Sequence, residues 1–186
     1  ILETSERYGT DDGIIRGLVF CSRKEECHSL SIAFNKKGYR TLALTGDSSE
    51  QARVDAIKML ESNDSDRLDY IFTVDIFNEG IDIPKVNQIL MLRPTNPAII
   101  FVQQLGRGLR KVEGKQYVTI IDFIGNYQNN YLVPIALYGD TSYNKDTLRK
   151  MISGGSRTIP GASTINFDRV TKEKIYQSID SANMQV

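Results

Sequence analysis

The chain has 186 residues, of which 40% are hydrophobic and 9% aromatic, and its 23 basic and 23 acidic side chains leave no formal net charge. This composition predicts one folded domain, or one domain with an appendage, and excludes wholesale disorder. Zero net charge argues against a protein that coats nucleic acid or an anionic membrane through its overall field, although it allows a local basic patch.

The two cysteines, Cys21 and Cys27, lie close together in the sequence beside His28. No second cluster completes a set of four ligands, so we expect no structural zinc. The chain shows neither a signal-peptide pattern nor an apolar run long enough to span a bilayer. We therefore expect a cytoplasmic protein with reduced thiols, the alternative being a disulfide between them.

The first residues, up to Gly13, are polar and lack periodicity, which predicts a linker or a truncated connection at 1–13. Short apolar runs then alternate with helical patterns. Strands are predicted at 17–21, 41–44, 70–74, 88–92 and 117–121.

Helices are predicted between these strands. The first covers 24–37, and Gly38 ends it. Ser48 with Gln51 three residues later predicts a capping box before a helix that ends at Leu60. Asn96 and Pro97 suit the cap and first position of a helix that runs to about Leu109.

Continuous apolar strands linked by helices predict an α/β domain at 14–125, with an open, mainly parallel sheet covered by helices on both faces. Right-handed crossovers would place the strand-to-helix loops at one edge, where such sheets bind ligands. A C-terminal appendage is predicted at 126–186, with helices near 146–152 and 171–179. We therefore look for functional residues in the loops that follow strand ends.

The predicted helix before the fifth strand carries Gln103, Arg107 and Arg110 on one face. Gly106 and Gly108 lie inside this helix, each at a cost of about 1 kcal/mol relative to Ala. Two forked guanidinium groups one turn apart could grip a triphosphate. The alternative is an ordinary solvated polar face.

The loop after the third predicted strand contains Gly80 and Asp82. Gly80 permits close backbone approach, and Asp82 could accept a hydrogen bond from a ribose hydroxyl. The alternative is a connection whose Gly and Pro residues only form turns. An apolar strand that ends in Asp75 resembles the magnesium-binding strand of P-loop enzymes. No Gly-x-x-x-x-Gly-Lys-Ser/Thr occurs in the chain, so we reject a magnesium-binding role for Asp75.

Four segments together resemble motifs IV, V and VI of superfamily 2 helicases, in the order and spacing of that family. They are GLVFCS at 17–22, TG at 45–46, VDIFNEGIDIP at 74–84 and QQLGRGLR at 103–110. The resemblance spans about 17–123, the second RecA-like domain of such proteins. The last motif is most similar to DEAD/DEAH-like DNA helicases and the translocase subunits of restriction enzymes.

The resemblance implies roles for the residues in these motifs. Arg110 would be the arginine finger, with Arg107 also facing the γ-phosphate and Gln103 aligning that phosphate or the attacking water. Gly80 and Asp82 would contact phosphate and ribose of ATP. Candidate contacts to the nucleic-acid backbone are Ser22, Arg23 and Thr45.

One position departs from the pattern of many family members, which carry Thr directly before the motif V Asp. Here Val74 occupies that position and Thr73 precedes it. The hydroxyl contact to nucleic acid that this Thr would make is therefore not expected.

The implied function is the second motor domain of an ATP-dependent DNA helicase or translocase. ATP and Mg²⁺ would be bound mainly by the protein's own N-terminal RecA-like domain, so we expect the isolated fragment to be inactive; RNA is possible in place of DNA. The alternative is a hydrolysis-deficient binding or regulatory module with the same fold, which the absence of an upstream P-loop would favour. A third alternative, a free-standing nucleotide-binding α/β protein, is disfavoured because the sequence lacks the glycine-rich phosphate loop that such a protein needs.

Two segments near and after the end of this domain, DFIGNY at 122–127 and IPG at 159–161, are similar to segments of bacterial helicases fused to a phospholipase-D-like nuclease domain. This resemblance implies a possible fused nuclease partner. The cations Lys145, Arg149, Lys150 and Arg157 could touch nucleic acid, the alternative being a solvated charged surface.

Overall fold

The protein's structure, a computed structural model, describes residues 1–10, 12–74, 76, 83–93, 115–123, 130–140, 142–155 and 166–182. Within these ranges, five parallel strands form one sheet in the order β2-β3-β1-β4-β5. The strands are β1 (Gly17–Phe20), β2 (Thr41–Leu44), β3 (Tyr70–Thr73), β4 (Gln88–Met91) and β5 (Thr119–Asp122). The predicted parallel α/β sheet is therefore confirmed, with strand ends shifted by up to two residues.

Helix α2 (Lys24–Lys36) leads from β1 to β2, and α3 (Glu50–Glu61) leads from β2 to β3. The first connection moves two positions across the sheet and the second returns by one, so right-handed crossovers place the helices on opposite faces. On the α2 face, Phe34 packs edge-on against Phe72, with ring centroids 5.0 Å apart. The predicted two-sided cover therefore follows from the strand order.

Gly17 begins β1 directly opposite Tyr70 of β3. A Cβ atom at Gly17 would lie 2.1 Å from Cδ1 of the Tyr70 ring, closer than any real contact. Only glycine lets the ring of Tyr70 lie against the backbone of β1.

The start of the chain differs from the prediction, because the expected linker contains helix α1 (Leu2–Tyr8). Ser5 is its buried residue, and no apolar stripe marks the helix in the sequence. Hydrogen bonds to residues distant in the sequence hold it: Gln88 Nε2 of β4 donates to Ser5 O over 3.0 Å, and Tyr39 Oη, just before β2, donates to Glu6 Oε1 over 2.6 Å.

The predicted cap of α3 was wrong by one residue. Ser49 is the N-cap, and its hydroxyl accepts from Ala52 N. Ser48 Oγ instead accepts from Thr45 N over 3.0 Å, which closes the turn between β2 and the helix. The helix therefore begins one residue later than the capping box indicated.

The described residues divide into two compact units. The first unit contains the sheet with α1, α2 and α3. The second unit contains α4 (Leu132–Tyr138), α5 (Lys145–Gly154) and α6 (Arg169–Ser181). Its core consists of Ile135, Leu148, Ile152, Ile175 and Ile179.

The helices predicted near 146–152 and 171–179 are confirmed as α5 and α6, whereas α4 was not predicted. Its sequence reads as a Tyr/Asn-rich stretch, although Gly139 at its end adopts the left-handed conformation typical of a helix C-cap. The helix predicted from Asn96 to Leu109 lies outside the described residues.

Candidate nucleic-acid interface at the carboxyl edge of the sheet

The carboxyl ends of the parallel strands meet at one edge of the sheet, which we call the carboxyl edge. Hydrogen bonds continue past the strand ends there: Cys21 N donates to Thr73 O, and Leu92 N donates to Phe20 O, both over 2.9 Å. In the sheet, the connection after β1 runs towards β2, whereas the connection after β4 runs the opposite way towards β5. The point at which the connections change direction therefore lies between β1 and β4. Open α/β sheets bind ligands at such a point.

Ser22 directly follows β1 and is exposed. Its hydroxyl donates to Leu92 O over 3.3 Å, and its N–H donates to Glu26 Oε2 over 2.9 Å. Both donors are therefore engaged within the protein. Since a phosphate oxygen only accepts hydrogen bonds, Ser22 would have to release one of these partners to contact nucleic acid.

Arg23 is the N-cap residue of α2 and is exposed. Within the described part of the chain, its guanidinium makes no hydrogen bond or ion pair. An exposed guanidinium at a ligand-binding edge suits phosphate oxygens. Arg23 is therefore the best placed of the three predicted contacts.

Thr45 directly follows β2 and is only 4% exposed. Its backbone closes the turn with Ser48, while the neighbouring Gly46 and Asp47 are exposed. Asp47 pairs with Lys24 at 2.5 Å, which links this turn to the start of α2. The structure thus brings the loops after β1 and β2 to the same edge, but presents Thr45 less openly than Arg23.

Sequence reasoning missed two arginines at this edge. Arg53 of α3 donates from Nη2 to Gly46 O over 3.2 Å and so holds the turn that contains Thr45. Arg93 follows β4, and its guanidinium carbon lies 6.0 Å from the ring centroid of Phe20. A charged residue directly after an apolar strand was the signal that could have identified Arg93.

Thr73, at the end of β3, is fully buried. Its hydroxyl donates to Ile76 O over 3.2 Å. This hydroxyl therefore stabilises the start of the following loop, in line with the departure noted at Val74.

Cys21 and Cys27 are buried beside this edge and are not disulfide-bonded. A hydrogen bond with Cys27 and burial raise the pKa of the Cys21 thiol well above its usual range. Cys21 is therefore an unreactive core thiol at neutral pH, since the thiolate is the nucleophile.

The predicted ATP-site residues Gly80, Asp82, Gln103, Arg107 and Arg110 lie outside the described residues. The described turn at 83–86 follows Asp82 directly in the chain. Among the described residues, no group of three or more His, Cys, Asp and Glu side chains could hold a metal ion. In the same part of the chain, no helix is long and apolar enough to cross a membrane.

Two of the four cations predicted as nucleic-acid contacts, Lys145 and Arg149, bind residues of the second unit itself. Lys145 Nζ donates to Asp180 O over 2.8 Å, and Arg149 binds the carboxylates of Asp146 and Asp180. These contacts join α5 to α6. Lys150 is exposed, and Arg157 lies outside the described residues.

The sheet order and the carboxyl edge are those of a RecA-like α/β domain. The chain belongs to the helicase conserved C-terminal domain family, which matches residues 11–112. Residues 11–112 are thus a C-terminal RecA-like domain of the superfamily 2 helicase type.

Two curated relatives and one solved structure illustrate the similarity. A putative ATP-dependent helicase of Saccharomyces cerevisiae, IRC3, is 32% identical over 125 residues, which cover 67% of this chain and 18% of that protein. The ATP-dependent RNA helicase SrmB of Haemophilus influenzae is 27% identical, over 71% of this chain and 29% of that protein. The crystal structure of the C-terminal part of the Fun30 ATPase domain has a TM-score of 0.51 at 17% identity, over 66% of this chain and 39% of that one.

The likeness to Fun30 concerns the fold alone. The chain spans less than a third of the length of these two curated relatives. The comparisons do not support the fused nuclease domain.

Proposed function

We propose that this chain is the second motor domain of an ATP-dependent helicase or translocase that acts on DNA. The observation that carries the proposal is the family match over 11–112, which contains every residue predicted for the ATP site. We assign the motor domain to 14–125, with helix α1 packed on its sheet, and a separate extension to 126–186.

In this proposal ATP lies between this domain and the protein's N-terminal RecA-like domain, which supplies most of the contacts to ATP and Mg²⁺. ATP provides the γ-phosphoryl group whose transfer to water drives the cycle. Arg110 and Arg107 place positive charge against the γ-phosphate, and Gln103 orients it or the attacking water. Gly80 lets the backbone approach a phosphate, and Asp82 accepts from a ribose hydroxyl.

The nucleic-acid backbone would cross the carboxyl edge near Arg23. Arg23 supports this assignment because it is exposed and its guanidinium has no recorded partner among the described residues. Ser22 and Thr45 would contact the strand through the loops that they begin. Contacts to the phosphate backbone give affinity that falls with salt and carries little sequence information.

The test is ATP turnover of the full-length protein with single-stranded DNA, duplex DNA and RNA. Arg110→Ala should lower turnover about 10³-fold or more, since removing an arginine finger has effects of this size. Arg169→Ala, which removes an arginine side chain that is 89% exposed on α6, is the matched control. Turnover in Arg110→Ala close to the wild-type rate would contradict the assignment.

The choice of DNA rests on the form of the last motif, whereas SrmB is named as an RNA helicase. If RNA stimulates ATP turnover and DNA does not, the substrate is RNA and the assignment to DNA is wrong. An inactive full-length protein that still binds nucleic acid would favour the regulatory module instead.

A further inference from the structure

The turn at 83–86 connects the predicted ATP-contacting loop to β4. Val86 N donates to Ile83 O over 3.1 Å, and the side chains of both residues are buried. Since Ile83 follows Asp82 directly in the chain, the position of this turn determines where Asp82 can lie.

One side of the turn is held by the last residue of α3. Lys85 N donates to Glu61 Oε1 over 3.1 Å, and Lys85 Nζ donates to Glu61 O over 2.6 Å. An ammonium group on a carbonyl at a helix C-terminus is electrostatically favourable.

Lys115 holds the same turn from a different segment of the chain. Its Nζ donates to Pro84 O, and to Val86 O over 3.1 Å. Both bonds are partly buried and charge-assisted, which makes them stronger than bonds between neutral groups. Lys115 also lies five residues after Arg110 in the sequence.

We infer that Lys115 is a positioning residue for the ATP site, because it joins the segment after motif VI to the end of motif V and to the turn that continues from it. Its ammonium fixes the turn that follows Asp82 directly in the chain. This inference rests on the proposed function. Lys115 acts through the backbone of the turn.

The experiment compares Lys115→Met and Lys115→Arg in the full-length protein. Lys115→Met keeps the length of the side chain but removes the charge and its donors, so we expect KM for ATP to rise about tenfold. Lys115→Arg keeps a cation and its donors and should recover most of this loss. DNA affinity without nucleotide should stay unchanged, since the predicted DNA contacts lie in the loops after β1 and β2.

Lys58→Met is the matched control, because Lys58 is exposed on α3 and has no recorded partner among the described residues. KM should stay at the wild-type value in this variant. The inference fails if Lys115→Met leaves KM unchanged, if Lys58→Met raises KM equally, or if Lys115→Arg is as defective as Lys115→Met.

Hydrogen exchange at the backbone amides of Lys85 and Val86 separates this inference from the proposed function. Both amides should exchange faster in Lys115→Met than in the wild type, because one side of the turn is released. Unchanged exchange rates in Lys115→Met overturn the positioning role.

A wild-type protein without ATP turnover overturns the proposed function and the positioning role with it. If Lys115→Met does not fold, Lys115→Gln should show the same changes in smaller measure, and its failure to do so would also overturn the positioning role.

Discussion

The two edges of the parallel sheet are built differently. At the amino edge, where the strands begin, buried side chains bind one another: Tyr70 Oη donates to Gln88 Oε1 over 2.7 Å, and Gln88 Nε2 donates to Ser5 O over 3.0 Å. At the carboxyl edge, Ser22 and Arg23 are exposed. The amino edge thus stabilises the fold, while the carboxyl edge presents the Arg23 guanidinium to a ligand.

The same contrast holds for the charged residues. Arg16, just before β1, is 5% exposed and binds Asp12 and Asn63. Lys24, after β1, pairs with Asp47 in an exposed ion pair. Exposed pairs contribute little to stability. Substitutions at the two edges should therefore change different measurements.

The largest effect on stability is expected from Gln88→Met at the amino edge. This variant removes the acceptor of the Tyr70 hydroxyl and the donor to Ser5 O, and both groups are buried. Ser5 O keeps its bond from Gly9 N, and Tyr70 Oη keeps only a long bond of 3.4 Å to Ser5 Oγ. The loss of two buried hydrogen bonds should lower the free energy of unfolding by about 1 to 3 kcal/mol. Urea unfolding followed by circular dichroism measures this loss.

Gln51→Met serves as its control, since Gln51 makes an exposed hydrogen bond to Asp55 on α3. That variant should change the free energy of unfolding by less than about 0.5 kcal/mol. Equal losses in the two variants would remove the distinction between a buried network and an exposed contact.

The second-largest effect is expected from high pH, which should lower the free energy of unfolding through Tyr70 at the amino edge. Burial raises the pKa of Tyr70 to about 12, and the carboxylates of Asp69 and Glu6 add to the shift. The folded state holds this proton more tightly than the unfolded chain, whose tyrosines have a pKa of about 10. The resulting stability is present below pH 10 and is lost as the pH rises through 12.

The comparison with Tyr70→Phe isolates this contribution, because phenylalanine does not titrate. The difference in free energy of unfolding between wild type and Tyr70→Phe should narrow between about pH 10 and 12. A difference that stays constant over this range contradicts the assignment of the shift to Tyr70.

The smallest expected effect comes from Arg23→Ala at the carboxyl edge, where stability should not change. The affinity of the full-length protein for DNA should fall, and the slope of log affinity against log salt should decrease by about one. Arg7→Ala, at an exposed position in the last turn of α1, is the matched control and should leave both unchanged. Equal weakening by the two variants would show that the contact is not specific to this edge.

Sequence reasoning predicted the sheet well because each strand contains consecutive apolar residues, which is typical of a parallel sheet covered on both faces. It also predicted that the loops after β1 and β2 would share an edge, and the structure places Ser22, Arg23 and Thr45 there. The roles of these residues, and those of Gly80, Asp82, Gln103, Arg107 and Arg110, stay predictions.

The errors arose where local patterns allowed more than one outcome. Ser48 and Ser49 both suit a helix cap, and the turn with Thr45 decides that Ser48 is used elsewhere. Helix α1 has no apolar periodicity: Leu2 packs against the core, and Ser5 and Glu6 bind the rest of the first unit through hydrogen bonds. Gln88 lies 83 positions from Ser5 in the sequence, and no local pattern reports such a pair.

The sequence by itself determined the class of fold and the family, since strand composition and motif order are properties of neighbouring residues. Only the tertiary structure decided that Ser22 is already engaged with Leu92, that Arg93 lies over Phe20, and that Lys115 binds the turn after Asp82. These contacts join residues far apart in the chain, and their partners are largely backbone carbonyls and ring faces. Every residue carries a carbonyl, so the identity of a residue gives no sign of which carbonyl a distant lysine or serine will reach.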